Sequence, residues 1–315
     1  MKILVMGTGA VGGCFGGMLA HTGHDVTFVA RGANLDAIRS NGLRVESVAA
    51  GNFTVTPPVM NSAGDSGEAD LILYCVKSYH NEAAIDDMAV AVGDGTAILT
   101  LQNGLGSGDM LSERFGREKV LLGAAYIEAA RKAPGVFAEL GGDCLIVFGE
   151  QDGTESERAV RTKDTLESAK IHVELSTDVQ TSLWTKLVGI CAFSGMACIT
   201  RASFADVLDT QETNDLTRQV MQEAADVALA TGANLADDVV DSGMARLEAH
   251  KHESSSSMYL DLQAGNPLEV GVLNGAVSRY GRKAGVATPV NDFITACLAV
   301  ADRTARVAPG AGQST

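Results

Sequence analysis

A glycine-rich turn near the start of the chain constrains the fold more than any other feature. Lys2 to Met6 (KILVM) is a short apolar run, Gly7 to Gly12 reads G-T-G-A-V-G, and a helical pattern continues to Thr22. Asp25 to Ala30 (DVTFVA) is a second strand-like run. A strand, a glycine turn, a helix and a second strand within about 30 residues predict a β-α-β unit of the kind that binds dinucleotides.

Each glycine of this turn has its own role in such a site. Gly7 permits the tight turn, Gly9 lets a pyrophosphate approach the backbone, and Gly12 lets the helix pack close to the sheet. The N-terminus of the helix then faces the phosphates. A glycine turn with a purely structural role is the alternative. The predicted cofactor-binding residues of the turn are Gly7, Thr8, Gly9, Ala10, Val11 and Gly12.

Apolar runs continue at intervals through the first half of the chain. They lie at Ala69–Val76, Thr96–Leu101, Val120–Ala125 and Cys144–Phe148, and helical segments separate them. Strands that alternate with helices predict an α/β fold with a doubly wound, mainly parallel sheet of the Rossmann type. We assign residues 1–178 to this dinucleotide-binding domain.

The pattern changes near residue 178. From Gln180 onward the chain reads as helices, which we expect at Gln180–Thr200, Thr213–Thr231, Asp237–His250, Leu273–Ala284 and Asn291–Val307. The sequence therefore predicts a C-terminal all-α domain over residues 179–308. Residues 309–315 (PGAGQST) have the composition of a flexible tail.

The charge of the chain excludes some partners. Lys and Arg number 24 against 39 Asp and Glu, so the net charge is −15 at pH 7. A surface this acidic repels phosphate backbones, and we expect no nucleic-acid partner. Leu183 to Thr200 is mostly apolar, but Lys186 within it favours a buried helix over a membrane span, so we expect no membrane partner. The start of the chain lacks the pattern of a signal peptide, which indicates the cytoplasm.

The cysteines are interpreted as buried, reduced thiols. None forms a C-x-x-C pair and each lies in an apolar stretch, so a zinc site or a disulfide framework is the weaker alternative. The six cysteines are Cys14, Cys75, Cys144, Cys191, Cys198 and Cys297.

Polar residues that follow the predicted strands indicate which cofactor binds. Arg31 follows the second strand, where NAD-binding folds place an acidic residue that binds the ribose. The next acidic residue after Arg31 is Asp36. A guanidinium pairs with a 2′-phosphate and stacks on adenine, so the sequence predicts NADP(H). Lys77 and Asn103 follow later strands and are expected at the carboxyl edge of the sheet, where such folds bind ligands. The alternatives are a solvated Arg31, a turn lysine at 77 and an Asn103 that only forms a turn with Gly104.

Lys186 is the main candidate for acid–base chemistry. It lies in SLWTKLVGICAF, a helical stretch otherwise free of charge. Loss of hydration lowers the pKa of a lysine toward the range useful for proton transfer, whereas a lysine that snorkels from a helix edge is the alternative. A serine run, Ser254–Ser257, and Glu269 follow later. On their own they are explained by a helix cap and a helix-start acid.

Four features make the chain resemble the ketopantoate reductases (2-dehydropantoate 2-reductases). They are GTGAVG near the N-terminus, Q-N-G at 102–104, W-x-K-L at 184–187, and S-S-M-x-x-D-x-x-x-G-x-x-x-E from Ser256 to Glu269. L-N-G at 273–275 and GVATPVN from Gly285 to Asn291 add to the resemblance, which spans nearly the whole chain. It implies a Rossmann domain followed by a helical domain, with an active site in the cleft between them.

The resemblance also implies roles for individual residues. Lys186 matches the catalytic lysine that gives a proton to the nascent alkoxide, and Glu269 matches the acid near the cofactor ribose and the catalytic centre. Asn103 matches a residue that contacts both cofactor and substrate, and Ser257 matches a serine that holds the substrate. The implied cofactor contacts are Gly7 to Gly12, Arg31, Lys77, Asn103, Ala129 and Glu269.

Two positions depart from the family's pattern, which has asparagines four and eight residues after the lysine. Ile190 and Ser194 stand there and become the expected substrate contacts. We predict NADPH-dependent reduction of a 2-oxo acid to a 2-hydroxy acid, with ketopantoate to pantoate as the reaction. The alternatives are a reductase of the same fold for another 2-oxo acid or an imine, and a non-catalytic NADP(H)-binding sensor. By analogy with the family we also expect the helical domain over residues 179–308 to bind the substrate and to form a homodimer.

Overall fold

The computed structural model describes residues 1–252 and 256–307, so Ser254, Ser255 and the predicted tail at 309–315 lie outside the described residues. The described chain forms two compact units. The α/β unit comprises Met1–Gln102 and Ser107–Val179, and the helical unit comprises Asn103–Gly106 and the chain from Gln180. The short segment Asn103–Gly106 thus belongs with the helices although it follows a strand.

The α/β unit has two sheets. Its strands are β1 (Lys2–Met6), β2 (Asp25–Val29), β3 (Leu43–Ser47), β4 (Gly51–Val55), β5 (Val59–Met60), β6 (Leu71–Tyr74), β7 (Ala97–Thr100), β8 (Val120–Tyr126), β9 (Ala129–Ala133), β10 (Val136–Glu139), β11 (Leu145–Gly149) and β12 (His172–Leu175). Its helices are α1 (Ala10–His21), α2 (Gly32–Asn41), α3 (Asn81–Met88), α4 (Ser107–Phe115) and α5 (Glu157–Ser168).

The main sheet confirms the predicted doubly wound architecture. Its eight strands lie in the order β12-β11-β8-β7-β6-β1-β2-β5. All neighbours are parallel except β8 and β11, which pair antiparallel. The central strands β6 and β7 are buried along their whole length, as expected of strands covered on both faces. Their continuous apolar sequences are what made them visible in the chain.

A second sheet of four strands, in the order β4-β3-β10-β9, was not predicted. Helix α1 lies between the two sheets, and its glycines permit the close approach. A methyl group at Gly13 would lie 2.4 Å from the Phe137 ring, one at Gly17 would lie 2.5 Å from the Val45 side chain, and one at Gly16 would lie 2.6 Å from Phe28. These three glycines of α1 therefore permit the helix to pack closely on both sheets.

The helical unit contains α6 (Val179–Thr200), α7 (Phe204–Asp209), α8 (Gln211–Ala230), α9 (Val239–Ala249), α10 (Ser257–Ala264), α11 (Asn274–Ala284) and α12 (Pro289–Val307). Helix α6 is long and apolar enough to cross a membrane, yet more than half of its most apolar window is buried inside the protein. Residues such as Leu187, Val188 and Cys191 belong to the hydrophobic core of this unit. The burial agrees with the interpretation of α6 as a core helix.

The expectation that all cysteines are buried was wrong for Cys297. All six thiols are free, and four are buried, but Cys297 is exposed and Cys75 is half-buried. Cys297 lies on α12, which buries Ile294 and Leu298 on its other face. The apolar neighbours that suggested burial include Val300, which is itself exposed on the outer face of this helix.

Candidate functional site

The glycine turn of the α/β unit has the shape of a phosphate cradle. Gly7 has a φ of +100°, and a methyl group there would lie 2.7 Å from the Val76 nitrogen. A methyl group at Gly12 would lie 2.2 Å from the Gly7 oxygen. At Gly9, by contrast, none of the described heavy atoms lies within 4 Å of such a methyl group. Gly7 and Gly12 are therefore needed by the fold, whereas Gly9 leaves open room for a ligand.

The start of α1 completes this cradle. Gly9 is the N-cap of α1, and a glycine has no side-chain oxygen with which to satisfy the first N–H groups of the helix. Thr8 is buried, and its hydroxyl donates to the Val29 oxygen at 2.8 Å. The side-chain amide of Asn34, which the sequence analysis missed, donates to the Thr8 oxygen at 2.8 Å and accepts from the Gly135 nitrogen at 2.8 Å. These bonds fix the turn while leaving helix N–H groups for an anion.

Three predicted residues lie at strand ends around the turn. Gly7 follows β1, Arg31 follows β2, and Lys77 stands three residues after β6. Because β6, β1 and β2 are parallel neighbours, their carboxyl ends share one edge of the sheet. Arg31 is exposed at the N-cap of α2, and Lys77 is half-buried. The open room at Gly9 and the helix start fit the pyrophosphate of a dinucleotide, and the two cations lie at the same edge of the sheet.

The remaining predicted cofactor residues of this unit are Ala10, Val11 and Ala129. Ala10 and Val11 are the first residues of α1 and are half-buried. Ala129 is also half-buried, and it begins β9 of the small sheet. Nothing in the contacts of Ala129 singles it out as a ligand contact.

In the helical unit, two predicted residues, Asn103 and Glu269, come together with Lys186. The Lys186 ammonium donates a hydrogen bond to the Asn103 side-chain oxygen at 2.7 Å. Burial lowers the pKa of Lys186 to about 8, and the nearby Glu269 carboxylate acts in the opposite direction and raises this pKa. Glu269 is itself buried. An amine with a pKa near 8 is both charged at neutral pH and able to give up its proton.

The turn between α10 and α11 explains how these residues meet. Glu269 begins this turn, and its carbonyl oxygen accepts from the backbone nitrogens of Val272 and Leu273. The Val272 oxygen accepts from the Leu105 nitrogen at 3.0 Å, which holds the Asn103–Gly106 segment against the turn. Gly104 is required here, since a methyl group on it would lie 2.1 Å from the Val272 oxygen. Asn103 and Glu269 are thus presented to Lys186 by hydrogen-bonded backbone.

The predicted substrate residues divide into two groups. Ser194 is buried, and its hydroxyl lies 3.0 Å from the hydroxyl of Ser256. Ser256 caps α10 by accepting from the Tyr259 nitrogen at 3.3 Å. Ser257, the predicted substrate serine, is exposed at the first position of α10, and Ile190 is half-buried one turn after Lys186. Sequence analysis missed the contact of Ser256, because a serine run gives no signal for which hydroxyl turns inward.

The arrangement around Lys186 is suited to proton transfer rather than metal chemistry. Among residues 1–252 and 256–307, no group of three or more His, Cys, Asp or Glu side chains is arranged to hold a metal ion. What the site offers is a positioned ammonium, an amide acceptor and a buried carboxylate. Such a set can hydrogen-bond a carbonyl oxygen and then protonate it.

Comparisons with known proteins agree with this chemistry. Residues 3–153 match the family model "Ketopantoate reductase PanE/ApbA", and residues 178–302 match that of its C-terminal domain. A 2-dehydropantoate 2-reductase of Mesorhizobium japonicum is 28% identical over 95% of this chain and 97% of that protein.

Solved structures give the same result. A PanE/ApbA family ketopantoate reductase from Ralstonia eutropha JMP134 is 30% identical, with a TM-score of 0.89 over 97% of this chain and 100% of that chain. A 2-dehydropantoate 2-reductase from Geobacter metallireducens GS-15 is also 30% identical, with a TM-score of 0.89 over 95% and 99% of the two chains. The chain therefore belongs to the PanE/ApbA family of ketopantoate reductases, which are oxidoreductases that use a nicotinamide cofactor.

Proposed function

We propose that this protein reduces 2-dehydropantoate to pantoate with NADPH. The observation that carries the proposal is the Lys186 ammonium, whose pKa burial lowers to about 8 and which is 2.7 Å from the Asn103 side-chain oxygen. A protein that only sensed a dinucleotide would have no need of a proton donor held in this way. Membership of the family and the names of its relatives support the choice of substrate.

The α/β unit provides the proposed cofactor site. A reduced nicotinamide dinucleotide supplies the hydride when it is bound. The open face of Gly9 and the first N–H groups of α1 bind its pyrophosphate. The Arg31 guanidinium pairs with the 2′-phosphate, and the Lys77 ammonium adds positive charge at the same sheet edge.

Lys186 is the proposed acid. At pH 7 a pKa of about 8 keeps roughly ten amines protonated for each neutral one. The ammonium donates one hydrogen bond to Asn103, which orients the remaining N–H bonds toward the carbonyl oxygen of the substrate. As the carbonyl carbon gains hydride, the oxygen gains negative charge and takes a proton from Nζ. The Glu269 carboxylate favours the charged amine and so favours its reprotonation from water.

The surroundings of Lys186 suit a branched 2-oxo acid. Ile190 follows Lys186 by one helical turn and lies on the same face of α6, where its side chain offers apolar contact to the two methyl groups of 2-dehydropantoate. The Ser194 hydroxyl already pairs with that of Ser256, so it links α6 to the start of α10 rather than binding the substrate. Ser257 is exposed and is the proposed hydroxyl contact of the substrate.

A substrate panel tests the function. Purified protein is mixed with NADPH or NADH and with 2-dehydropantoate, smaller and larger 2-oxo acids, and an imine, while cofactor absorbance is followed. We expect the fastest oxidation with NADPH and 2-dehydropantoate, and pantoate as the chromatographed product. Faster turnover of another oxo acid would support the alternative reductase. Tight NADPH binding without oxidation across the panel would support the sensor.

We also propose that two copies of the chain associate through α12. Phe293, Val300 and Val307 are 61%, 60% and 77% exposed and recur every seven residues, which places them on one face. An antiparallel second copy centred on Val300 sets Phe293 opposite Val307, and it brings Asp292 near the oppositely charged Arg306 of that copy.

The mass in solution tests the dimer. Light scattering should give two chains for the native protein and one chain for Phe293→Glu/Val300→Glu. A monomeric native protein at micromolar concentration would contradict the proposed dimer.

We place this enzyme in the cytoplasm, where NADPH is available, and cell fractionation is the check.

A further inference from the structure

Two asparagines from sequence motifs that the proposed mechanism does not use are fully buried in the helical unit. Asn274 belongs to L-N-G at 273–275, Asn291 belongs to GVATPVN, and both are 0% exposed. The Asn274 side-chain nitrogen donates to the Cys191 oxygen at 3.2 Å and to the Asn291 side-chain oxygen at 2.9 Å. A single amide group therefore joins α11 to both α6 and α12.

Asn291 extends the network to a further helix. Its side-chain nitrogen donates to the Val220 oxygen at 3.2 Å and to a Glu223 carboxylate oxygen at 2.8 Å. Glu223 also accepts from the backbone nitrogens of Val290 and Asn291, each at 2.9 Å, near the start of α12. The side-chain amide of each asparagine thus donates two hydrogen bonds, and the donations run from Asn274 to Asn291 and from Asn291 to α8. The buried side-chain oxygen of Asn274 has no hydrogen-bond partner among the described residues, so the donors of the pair are satisfied but not every acceptor. Their bonds join α6, α8, α11 and α12.

The α6 end of this network is close to Lys186 along the helix. Cys191 is five residues after Lys186, about 7.5 Å along the axis. Two residues before the lysine, the Trp184 ring packs edge to face on the Tyr280 ring of α11, with centroids 5.7 Å apart. Lys186 therefore lies between two anchors that fasten α6 to α11.

The α11 end of the network belongs to the turn that presents Glu269. Asn274 directly follows this turn, and the Gly275 nitrogen donates to the Val270 oxygen at 2.9 Å, which ties the turn to the helix start. The close contact with α6 depends on Gly195, since a methyl group there would lie 2.9 Å from the Asn274 amide. The Asn274 side chain is thus the anchor, of the two, that lies directly beside the turn of Glu269.

We infer that Asn274, supported by Asn291, is a positioning residue that holds the Glu269 turn and its attached Asn103 segment against Lys186. The inference rests on the proposed role of Lys186 as the acid. Loss of the Asn274 donors lets the turn move from α6, so water reaches the ammonium, its hydrogen bond to Asn103 loosens, and the Glu269 carboxylate acts on it less strongly. Displacements near 1 Å at a reacting group cost up to about a hundredfold in rate.

The test uses three variants of the full chain. Asn274→Leu removes the donors at similar size. Asn274→Leu/Asn291→Leu removes both members of the amide pair, so the Asn291 side-chain oxygen is not left buried without its donor. Thr217→Val is the matched control, because it removes a buried hydroxyl that donates to the Thr213 oxygen of α8 at 2.7 Å without touching α6.

Two readouts separate positioning from plain stability. The first is kcat with 2-dehydropantoate and NADPH, measured well below the unfolding temperature. The second needs no substrate: the rate at which acetic anhydride labels Lys186 is followed against pH by mass spectrometry, which gives the pKa of the amine. The charged group that acts on this amine in the helical unit is Glu269.

The inference predicts that both asparagine variants lower kcat about tenfold and move the labelling midpoint upward, because a hydrated lysine approaches its ordinary pKa. Thr217→Val should lower the unfolding temperature and leave both readouts unchanged. A labelling midpoint that stays at the native value in both asparagine variants would overturn the inference. A native protein with a low midpoint but no reductase activity would instead overturn the proposed function.

Discussion

The two units recognise their proposed ligands by different means. In the α/β unit the cradle is made of backbone within the six consecutive residues from Gly7 to Gly12. Its glycines suit the cradle because glycine has no side chain. In the helical unit the site is made of side chains from distant parts of the chain, and Asn103 and Lys186 are 83 residues apart. The difference teaches that binding a common cofactor needs a local backbone shape, whereas the chemical step needs groups assembled by tertiary packing.

Replacing the proposed acid should distinguish the role of the helical unit in turnover from that of the α/β unit in cofactor binding, with the largest expected effect. Lys186→Met keeps the length of the side chain and removes the charge, so kcat/KM should fall by about 10²- to 10⁴-fold. The dissociation constant of NADPH, measured by titration calorimetry, should stay unchanged because the cradle is in the other unit. Lys163→Met is the control, since its exposed ion pair with Glu167 is worth little. Turnover within threefold of the native rate would exclude Lys186 as the acid.

A single methyl group should have the opposite effect in the α/β unit. Gly9→Ala puts a methyl group into the open room of the cradle, so it should leave the fold intact and weaken NADPH binding up to about a hundredfold through overpacking. Gly95→Ala is the matched control, because a methyl group there is also free of the described atoms. Calorimetric binding and thermal unfolding are measured for both. Unchanged binding in Gly9→Ala would place the dinucleotide elsewhere.

The cofactor preference should depend on one exposed cation. Arg31→Ala should raise KM for NADPH about tenfold and leave KM for NADH nearly unchanged, since only NADPH carries the 2′-phosphate. We expect the lower end of the range for charge-assisted bonds because solvent screens an exposed guanidinium. Arg39→Ala, an exposed arginine on the same helix, is the control. An equal loss for both cofactors would show that Arg31 does not read the phosphate.

The contrast between the units also explains what the sequence could predict. The main sheet was predictable because its central strands are continuous apolar runs such as LILY in β6, and the glycine turn because its residues are contiguous. The small sheet was missed because its strands mix charged and apolar residues, as in LRVES of β3, and because β3 pairs with β10, which is far along the chain. Patterns within a short window cannot specify such long-range pairing.

The site around Lys186 was predictable only in part. A lysine in an apolar helix is a local signal, and resemblance to a family pointed to Asn103 and Glu269. Neither shows that the Asn103 segment is held by the Val272 oxygen or that Ser256, rather than Ser257, turns toward Ser194. These facts depend on which face of α10 packs inward, and a run of identical serines leaves that choice to tertiary contacts.

A change of pH should have the smallest effect, and it should act on turnover in the helical unit but not on NADPH binding in the α/β unit. Reduction needs the protonated amine, and with a pKa of about 8 for Lys186 the protonated fraction falls from roughly 90% at pH 7 to about half at pH 8. The value of kcat/KM should therefore fall about twofold over this interval, about fivefold from pH 8 to pH 9 and about tenfold per pH unit beyond, while NADPH binding stays level. Glu269→Gln removes the carboxylate that raises the pKa, so the midpoint should move to lower pH. A midpoint near that of an ordinary lysine, or a profile that Glu269→Gln leaves in place, would mean that another group gives the proton.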